Sequence, residues 1–128
     1  MSLKHNLQVM VVDDMSVSRA LITNALDELG ITKYRVENDG QKALASLIAH
    51  PVHLVLSDYN MPNLDGLGLL KGLRQNQKTQ RIGFILVTGK ATPELVATGQ
   101  KLGLNNLIQK PFTTPAMRQC IESVVGRL

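Results

Sequence analysis

Short runs of apolar residues alternate along the chain with longer segments in which apolar residues recur every three or four positions. The short runs predict five β-strands, near residues 9–12, 33–37, 54–57, 84–87 and 107–109. The longer segments predict a helix after each strand, near residues 16–29, 41–50, 67–76, 93–102 and 114–128. This alternation is typical of parallel sheets whose right-handed crossovers place helices on both faces. We therefore expect a doubly wound α/β domain.

The sequence predicts where the first helix begins and which of its residues are buried, and it places a glycine inside the fourth helix. Ser16 is the expected N-cap of the first helix. The expected buried stripe of that helix consists of Val17, Leu21, Ala25 and Leu29. In the fourth helix Gly99 lies mid-segment, where glycine costs about 1 kcal/mol relative to alanine. Gly99 has two interpretations. It either lowers the stability of a helix that moves, or it permits close packing against a neighbouring segment.

Composition narrows the class of protein. The chain has 128 residues, of which 44% are hydrophobic, and this fits a single domain over residues 1–128 with 1–6 as a loose N-terminal tail. Its longest apolar runs have four residues, too few for a transmembrane helix or a secretory signal peptide. The single cysteine, Cys120, has no internal disulfide partner, so a cytoplasmic location is expected.

The charge of the chain is unevenly distributed. The net charge of +4 separates into −3 over residues 1–65 and +7 over residues 66–128. Four basic residues around the third helix are expected to form a solvated face: Lys71, Arg74, Lys78 and Arg81. A nucleic-acid patch is the alternative, but the sequence contains no DNA-binding motif, so no nucleic-acid partner is expected. The acidic residues of the first half therefore need a different explanation.

Polar residues follow four of the five predicted strands. Asp13 and Asp14 follow the first strand, Asp58 the third, Thr88 the fourth and Lys110 the fifth. Parallel strands end at the same edge of a sheet, so these side chains are expected to converge there. The second strand is followed only by residues typical of a turn, Asn38-Asp39-Gly40. A single aspartate after a strand is commonly a cap or turn former, but the whole set favours a functional site.

The set of side chains indicates a metal and a reaction. Two carboxylates 4 Å apart repel by about 4 kcal/mol at an effective dielectric of 20, which a cation would offset. Oxygen ligands without histidine or cysteine favour Mg²⁺. A carboxylate can attack phosphorus to form an acyl phosphate, and a cation, an ammonium and a hydroxyl then offset the phosphoryl charge. Gly89, which lacks a side chain, leaves its backbone N–H open to a phosphoryl oxygen.

At this point the sequence resembles the receiver domains of two-component response regulators, most of all the stand-alone chemotaxis type. The resemblance extends over about residues 8–128 and implies a flavodoxin-like sheet with strand order 2-1-3-4-5. The motifs that carry it are Asp13-Asp14 with Ser16 and Arg19, Asn38-Asp39-Gly40 with Ala43-Leu44, Asp58 through Pro62 with Asp65-Gly66, Val87-Thr88-Gly89, and Lys110-Pro111-Phe112. Together these motifs are highly specific, whereas each one alone is weak.

The resemblance implies a role for each acidic residue. Asp58 is the expected phosphoacceptor, receiving its phosphoryl group from a phosphohistidine of a histidine kinase or phosphotransfer protein. Asp14, Asp58 and the backbone carbonyl of Asn60 are the expected direct ligands of Mg²⁺, for which Mn²⁺ could substitute. Asp13 is expected to bind the metal through water. No enzymatic activity is expected beyond phosphorylation and dephosphorylation of the chain itself.

The resemblance also implies how the signal leaves the site. Thr88 and Lys110 are expected to bind the phosphoryl group, and the Lys110–Pro111 peptide is expected to be cis. Phosphorylation is expected to act on the surface formed by the fourth helix, fifth strand and fifth helix. The expected partners are the kinase or phosphotransfer protein and a downstream protein, with no membrane, and the chain is expected to be a monomer or weak dimer.

The sequence departs from the pattern of the family at one switch position and carries a distinctive residue at a variable one. Leu107 stands where the family usually has an aromatic ring that moves with the threonine. Lys90 stands at a position that varies in the family and affects phosphoryl lifetime, and it is either a solvated lysine or a modulator of water access. Leu107 leaves open a phosphate sink or interaction module without an effective switch. An aspartyl-phosphate hydrolase is the third alternative.

Overall fold

The computed structural model describes residues 3–128. A 3-10 helix at Leu3–His5 precedes the sheet. The strands are β1 (Gln8–Val12), β2 (Lys33–Glu37), β3 (Leu54–Asp58), β4 (Gly83–Thr88) and β5 (Asn106–Gln109). The helices are α1 (Ser16–Glu28), α2 (Gly40–Ala49), α3 (Gly66–Arg74), α4 (Pro93–Lys101) and α5 (Thr114–Val125). None of the helices described over residues 3–128 combines the length and hydropathy of a membrane-spanning segment.

The five strands form one parallel sheet in the order β2-β1-β3-β4-β5, which confirms the predicted fold. The register aligns the carboxyl ends of the strands. Val12 at the end of β1 pairs with Ser57 of β3, and Thr88 at the end of β4 pairs with Gln109 of β5. The residues that follow these strands therefore emerge at one edge of the sheet.

Helices cover both faces of the sheet. Side chains alternate between the two faces along each strand, so the strands contribute to an apolar cluster on each face. The face toward α1 and α5 buries Val9, Val11, Leu54, Leu56, Ile85 and Val87. The face toward α2, α3 and α4 buries Met10, Val12, Val55, Phe84 and Leu86. The three central strands β1, β3 and β4 are therefore almost continuously apolar, as expected for parallel strands between two helical layers.

The beginning of α1 differs from the prediction. Ser16 is the first helical residue, and Met15 occupies the N-cap position without a side-chain hydrogen bond. The backbone N–H of Met15 donates instead to Oδ1 of Asp13 at 3.0 Å. The predicted N-cap at Ser16 is therefore wrong, and Asp13 stabilises the turn that leads into the helix.

The apolar stripe predicted for α1 is also wrong in part. The helix buries Ile22, Ala25 and Leu26, whereas Val17 is 73% exposed and Leu21 is 57% exposed. A row of residues spaced by four is inclined to the helix axis, so it leaves the buried face at one end. The exposed end of the row lies beside the carboxyl edge of the sheet.

Arg74 of α3 does not belong to a solvated face. Its half-buried guanidinium donates five hydrogen bonds, at 2.7–3.3 Å, to the carbonyl oxygens of Gln80, Ile82 and Gly103 and to Oδ1 of Asn105. Burial lowers the pKa of this arginine. The prediction of a solvated basic face holds for the exposed side chains of Lys71, Lys78 and Arg81 and is wrong for Arg74.

Residues 3–7 form hydrogen-bonded structure ahead of β1. The backbone N–H groups of Asn6 and Leu7 both donate to the carbonyl oxygen of Leu3, at 3.0 and 2.9 Å. The side chain of Leu7 is buried in the core. The loose tail expected over residues 1–6 is therefore not found in residues 3–6, and residues 1 and 2 lie outside the described part of the chain.

Gly99 packs closely against the loop after α4. A Cβ atom at this position would lie 2.7 Å from Cδ2 of Leu104, closer than real contacts allow. Gly99 is buried, and its carbonyl oxygen accepts from the backbone N–H of Leu104 at 2.9 Å. Of the two interpretations of this glycine, the geometry favours close packing.

Candidate functional site

The strand ends bring the predicted polar residues together. Asp13 directly follows β1, Asp58 is the last residue of β3 and Thr88 is the last residue of β4. Lys110 follows β5, and its backbone N–H donates to the carbonyl oxygen of Thr88 at 2.8 Å. The Lys110–Pro111 peptide is cis. These side chains share one edge because all of the strands are parallel and end level with one another.

Three carboxylates lie close together at this edge. Asp13, Asp14 and Asp58 each offer an oxygen within 4.8 Å of the others. The three differ in exposure: Asp13 is fully buried, the Asp58 side chain is 13% exposed and Asp14 is exposed. Arg19 of α1 holds Asp13 in place, because its guanidinium donates to the backbone carbonyl of Asp13 at 2.8 Å.

The carboxylate cluster has the features of a cation site. Oδ2 of Asp13 is buried and has no hydrogen-bond partner among residues 3–128, since Lys110 Nζ, at 3.7 Å, is too distant for a hydrogen bond. A buried carboxylate oxygen in this position favours a cation bound closer to it. The three oxygen donors match the preference of hard divalent cations such as Mg²⁺. The predicted acidic residues therefore form a group that could bind a metal.

Lys110 supplies the positive charge of the site. Its Nζ lies 3.3 Å from Oδ1 of Asp58 and 3.7 Å from Oδ2 of Asp13. A third neighbour is Oγ of Ser18 on α1, at 2.7 Å. Among residues 3–128, Lys110 is the one residue that forms ion pairs with these carboxylates.

Asp58 lies in an environment that disfavours its ionised form. Burial raises the pKa of its carboxyl group, and the nearby charge of Asp13 raises it further, while Lys110 and the backbone N–H of Tyr59 lower it. The net effect is a pKa above the ordinary value. Oδ1 of Asp58 accepts hydrogen bonds from Tyr59 N at 2.9 Å and from Lys110 Nζ. A cation beside Asp58 would favour the carboxylate.

The site opens into a cleft of about 750 Å³. Its walls include Asp14, Asp58, Tyr59, Asn60, Leu67, Thr88, Gly89, Lys90, Leu95 and Lys110. Oγ1 of Thr88 lies 3.3 Å from both the backbone nitrogen and the backbone oxygen of Lys90, which ties the hydroxyl to the loop before α4. A Cβ atom at Gly89 would meet nothing within 4 Å, so the open space here does not depend on glycine.

Leu107 is not among the residues that line the cleft beside the carboxylates. It is partly buried on β5 and packs against the apolar cluster on the α2, α3 and α4 face of the sheet. Its position in β5 pairs it with Leu86 of β4. The structure thus places an aliphatic side chain at the predicted switch position, in contact with the core.

The turn after β2 contacts the loop after β3, which the sequence did not indicate. Asp39 caps α2 by accepting from the backbone N–H groups of Gln41 and Lys42, and Oδ2 of Asp39 accepts from Nδ2 of Asn63. These bonds, first that from Lys42 and then that from Asn63, hold the pKa of Asp39 below its ordinary value. A Cβ atom at Gly40 would lie 2.0 Å from the carbonyl oxygen of Leu64. The turn therefore packs directly on the loop that carries Asn60.

The sequence did not single out two residues of the site. Ser18 contacts Lys110 across 92 positions of sequence, and no local pattern distinguishes it from other serines. Tyr59 lines the cleft beside Asp58, and only its position next to the predicted phosphoacceptor pointed to it. Ser18 therefore belongs to the site through the meeting of separate elements, and Tyr59 through its place next to Asp58.

Comparison with known proteins agrees with this architecture. The model of the response regulator receiver domain family matches residues 9–122. A probable chemotaxis protein CheY of Rhizobium etli is 39% identical over 128 residues, covering 100% of this chain and 99% of the relative. Chemotaxis protein CheY-3 of Vibrio cholerae is 30% identical, covering 98% of this chain and 97% of the relative.

Solved structures share the fold. Chemotaxis protein CheY4 of Vibrio cholerae has a TM-score of 0.85 at 24% identity, covering 92% of this chain and 98% of that one. The receiver domain of sensor histidine kinase PA1611 from Pseudomonas aeruginosa, solved with a magnesium ion in its active-site cleft, has a TM-score of 0.81 at 25% identity, covering 94% and 98%. The chain belongs to the response regulator receiver domain family and is a receiver of two-component signal transduction.

Proposed function

We propose that Asp58 accepts a phosphoryl group from a phosphohistidine of a histidine kinase or phosphotransfer protein in a Mg²⁺-dependent reaction. The observation that carries this proposal is the cluster of three carboxylates within 4.8 Å with the Lys110 ammonium 3.3 Å from Asp58. Phosphoryl transfer depends on positioning and on offsetting negative charge, and this cluster supplies both. Residues 1–128 would then act as one receiver domain in the cytoplasm, as a monomer or weak dimer.

The transfer uses one oxygen of Asp58. Oδ1 is held by Tyr59 N and Lys110 Nζ, which leaves Oδ2 to attack the phosphorus atom. The new oxygen–phosphorus bond forms as the nitrogen–phosphorus bond breaks, and the imidazole leaves with the electron pair. Lys110 and Thr88 offset the charge of the phosphoryl oxygens. Mg²⁺, or Mn²⁺ in its place, would supply further charge compensation when held directly by Asp14, Asp58 and the carbonyl of Asn60 and through water by Asp13.

The partner that donates the phosphoryl group needs a face beside the cleft. Met15, Val17 and Leu21 are 62%, 73% and 57% exposed, and Met15 also lines the cleft. Exposed apolar side chains grouped next to a reactive site are typical of a protein contact surface. We assign this end of α1 to the phosphodonor protein.

The output passes from Thr88 toward α4. If the Thr88 hydroxyl turns to the phosphoryl group, it gives up its two contacts with the Lys90 backbone, just before α4 begins at Pro93. The surface formed by α4, β5 and α5 would then change and bind a downstream protein. Leu107 offers no hydroxyl or ring to follow this movement, so a phosphate sink with little change in that surface is the second candidate function.

Mass spectrometry of the intact protein tests the proposal. Treatment with acetyl phosphate and Mg²⁺ is expected to add one phosphoryl group per chain, and EDTA is expected to abolish the labelling. Continuous release of inorganic phosphate from a small phosphate ester would instead indicate a hydrolase and contradict a receiver role. Labelling with no change in the amide NMR shifts of α4, β5 and α5 would favour the sink.

Lys90 allows a separate prediction about the lifetime of the phosphoryl group. Lys90 is exposed and lines the cleft, so its ammonium can alter the access of water to phosphorylated Asp58. Lys90→Glu is expected to change the rate of autodephosphorylation several-fold, as measured by loss of the labelled mass over time. Lys101→Glu is the control, because Lys101 is an exposed residue of α4 that does not line the cleft. Equal rates in wild type and Lys90→Glu would make Lys90 a solvated lysine only.

A further inference from the structure

Ser18 makes the shortest contact of the Lys110 ammonium among the three that surround it. The distance from Nζ to Oγ of Ser18 is 2.7 Å, against 3.3 Å to Asp58 and 3.7 Å to Asp13. Ser18 lies in the first turn of α1, and both it and Lys110 are partly buried. The hydroxyl therefore contributes to where the ammonium lies before any phosphoryl group arrives.

A neutral acceptor among the three neighbours of the ammonium has a particular consequence. An ammonium has three N–H donors on a flexible four-carbon chain, so its direction depends on the acceptors around it. The carboxylate acceptors change when a metal binds or Asp58 becomes phosphorylated, whereas the Ser18 hydroxyl stays the same. Ser18 can therefore keep one N–H engaged while the other two turn from carboxylate oxygens to phosphoryl oxygens.

We infer that Ser18 is a positioning residue, which holds the Lys110 ammonium toward the site where the phosphoryl group of Asp58 will lie. This inference rests on the proposed function of Asp58 and Lys110. It adds a link between α1, to which we assign the phosphodonor protein, and the lysine of the β5–α5 loop. A group that is held in place before reaction loses less freedom during it, so the hydroxyl accelerates phosphoryl transfer.

Removing the hydroxyl tests the inference. Ser18→Ala is expected to slow phosphorylation by acetyl phosphate about fivefold to tenfold, because a hydrogen bond to a charged group is lost. Ser16→Ala, which changes a serine of the same turn with no hydrogen bond to Lys110, is expected to retain the wild-type rate. A Ser18→Ala rate equal to that of wild type overturns the role of Ser18, whereas wild type without any labelling overturns the proposed function itself.

A matched pair of variants separates the hydroxyl from the shape of the side chain. Thr and Val have nearly the same shape, but only Thr keeps the hydroxyl. Ser18→Thr is expected to be phosphorylated at least threefold faster than Ser18→Val, an estimate of about half the effect of the lost hydrogen bond. Equal rates for the two variants overturn the inference. Thermal unfolding of both variants checks that each is folded.

The effect of Mg²⁺ provides a readout that identifies how Ser18 acts. Ser18 contacts the lysine and not the carboxylates, so Ser18→Ala is expected to bind Mg²⁺ with the affinity of wild type. Calorimetric titration of the folded variant with Mg²⁺ measures this affinity. A loss of Mg²⁺ affinity that accounts for the slower phosphorylation would show that Ser18 acts through the metal site and would overturn the positioning role.

Discussion

Arg74→Ala is expected to lower the free energy of unfolding by about 1 to 3 kcal/mol, the cost of leaving hydrogen-bonding groups without their partner in a partly buried site. The guanidinium donates to acceptors before β4 and in the loop between α4 and β5. The variant would leave carbonyl oxygens of Ile82 and Gly103 without this donor. Since both segments flank the core strand β4, the loss is expected to affect global stability.

Urea unfolding followed by circular dichroism measures this change. Lys71→Ala is the matched control, because Lys71 lies on the same helix and its side chain is exposed. The control is expected to change the free energy of unfolding by less than about 0.5 kcal/mol, as surface substitutions usually do. Arg74→Ala with the stability of Lys71→Ala would contradict the structural role given to Arg74.

Mg²⁺ is expected to stabilise the protein, and Asp13→Ala is expected to remove most of that stabilisation. A ligand that binds only the folded state, at ten times its dissociation constant, adds about 1.4 kcal/mol to the free energy of unfolding. The buried Oδ2 of Asp13 has no hydrogen-bond partner among the described residues and only a 3.7 Å ion pair with Lys110, so a bound cation would stabilise this carboxylate. Removing it takes away one of the three acidic groups that could hold the metal.

Urea unfolding with Mg²⁺ and with EDTA measures the stabilisation in each variant. Glu94→Ala is the control, because Glu94 lines the cleft but lies outside the carboxylate cluster. It is expected to keep the full effect of Mg²⁺. The cation site would be misplaced if Asp13→Ala retained that effect or if Glu94→Ala lost it.

Features that depend on local sequence could be predicted. Apolar runs predicted the central strands β1, β3 and β4, because a strand that is buried on both faces has an almost continuously apolar sequence. Parallel order then placed Asp13, Asp58, Thr88 and Lys110 at one edge, since the carboxyl ends of parallel strands coincide. The sequence therefore predicted which residues lie at this edge, but not the distances between their side chains.

Features that depend on distant segments could not be predicted. The prediction of a solvated side chain for Arg74 rested only on the neighbouring basic residues. The acceptors of Arg74 include groups 29 and 31 positions further along the chain, which the local sequence does not show. The same holds for Ser18, whose partner Lys110 lies 92 positions away. Val17 is exposed although its spacing predicted burial, because spacing alone does not show where the neighbouring elements end.

The most direct measurement of the central claim locates the phosphoryl group on the chain. The protein is phosphorylated with acetyl phosphate and Mg²⁺, the acyl phosphate is reduced with borohydride to homoserine, and peptides are sequenced by mass spectrometry. The account predicts homoserine at position 58 alone, and no labelling of Asp58→Ala. Homoserine at position 13 or 14 of the wild-type chain, or labelling that persists in Asp58→Ala, would contradict it.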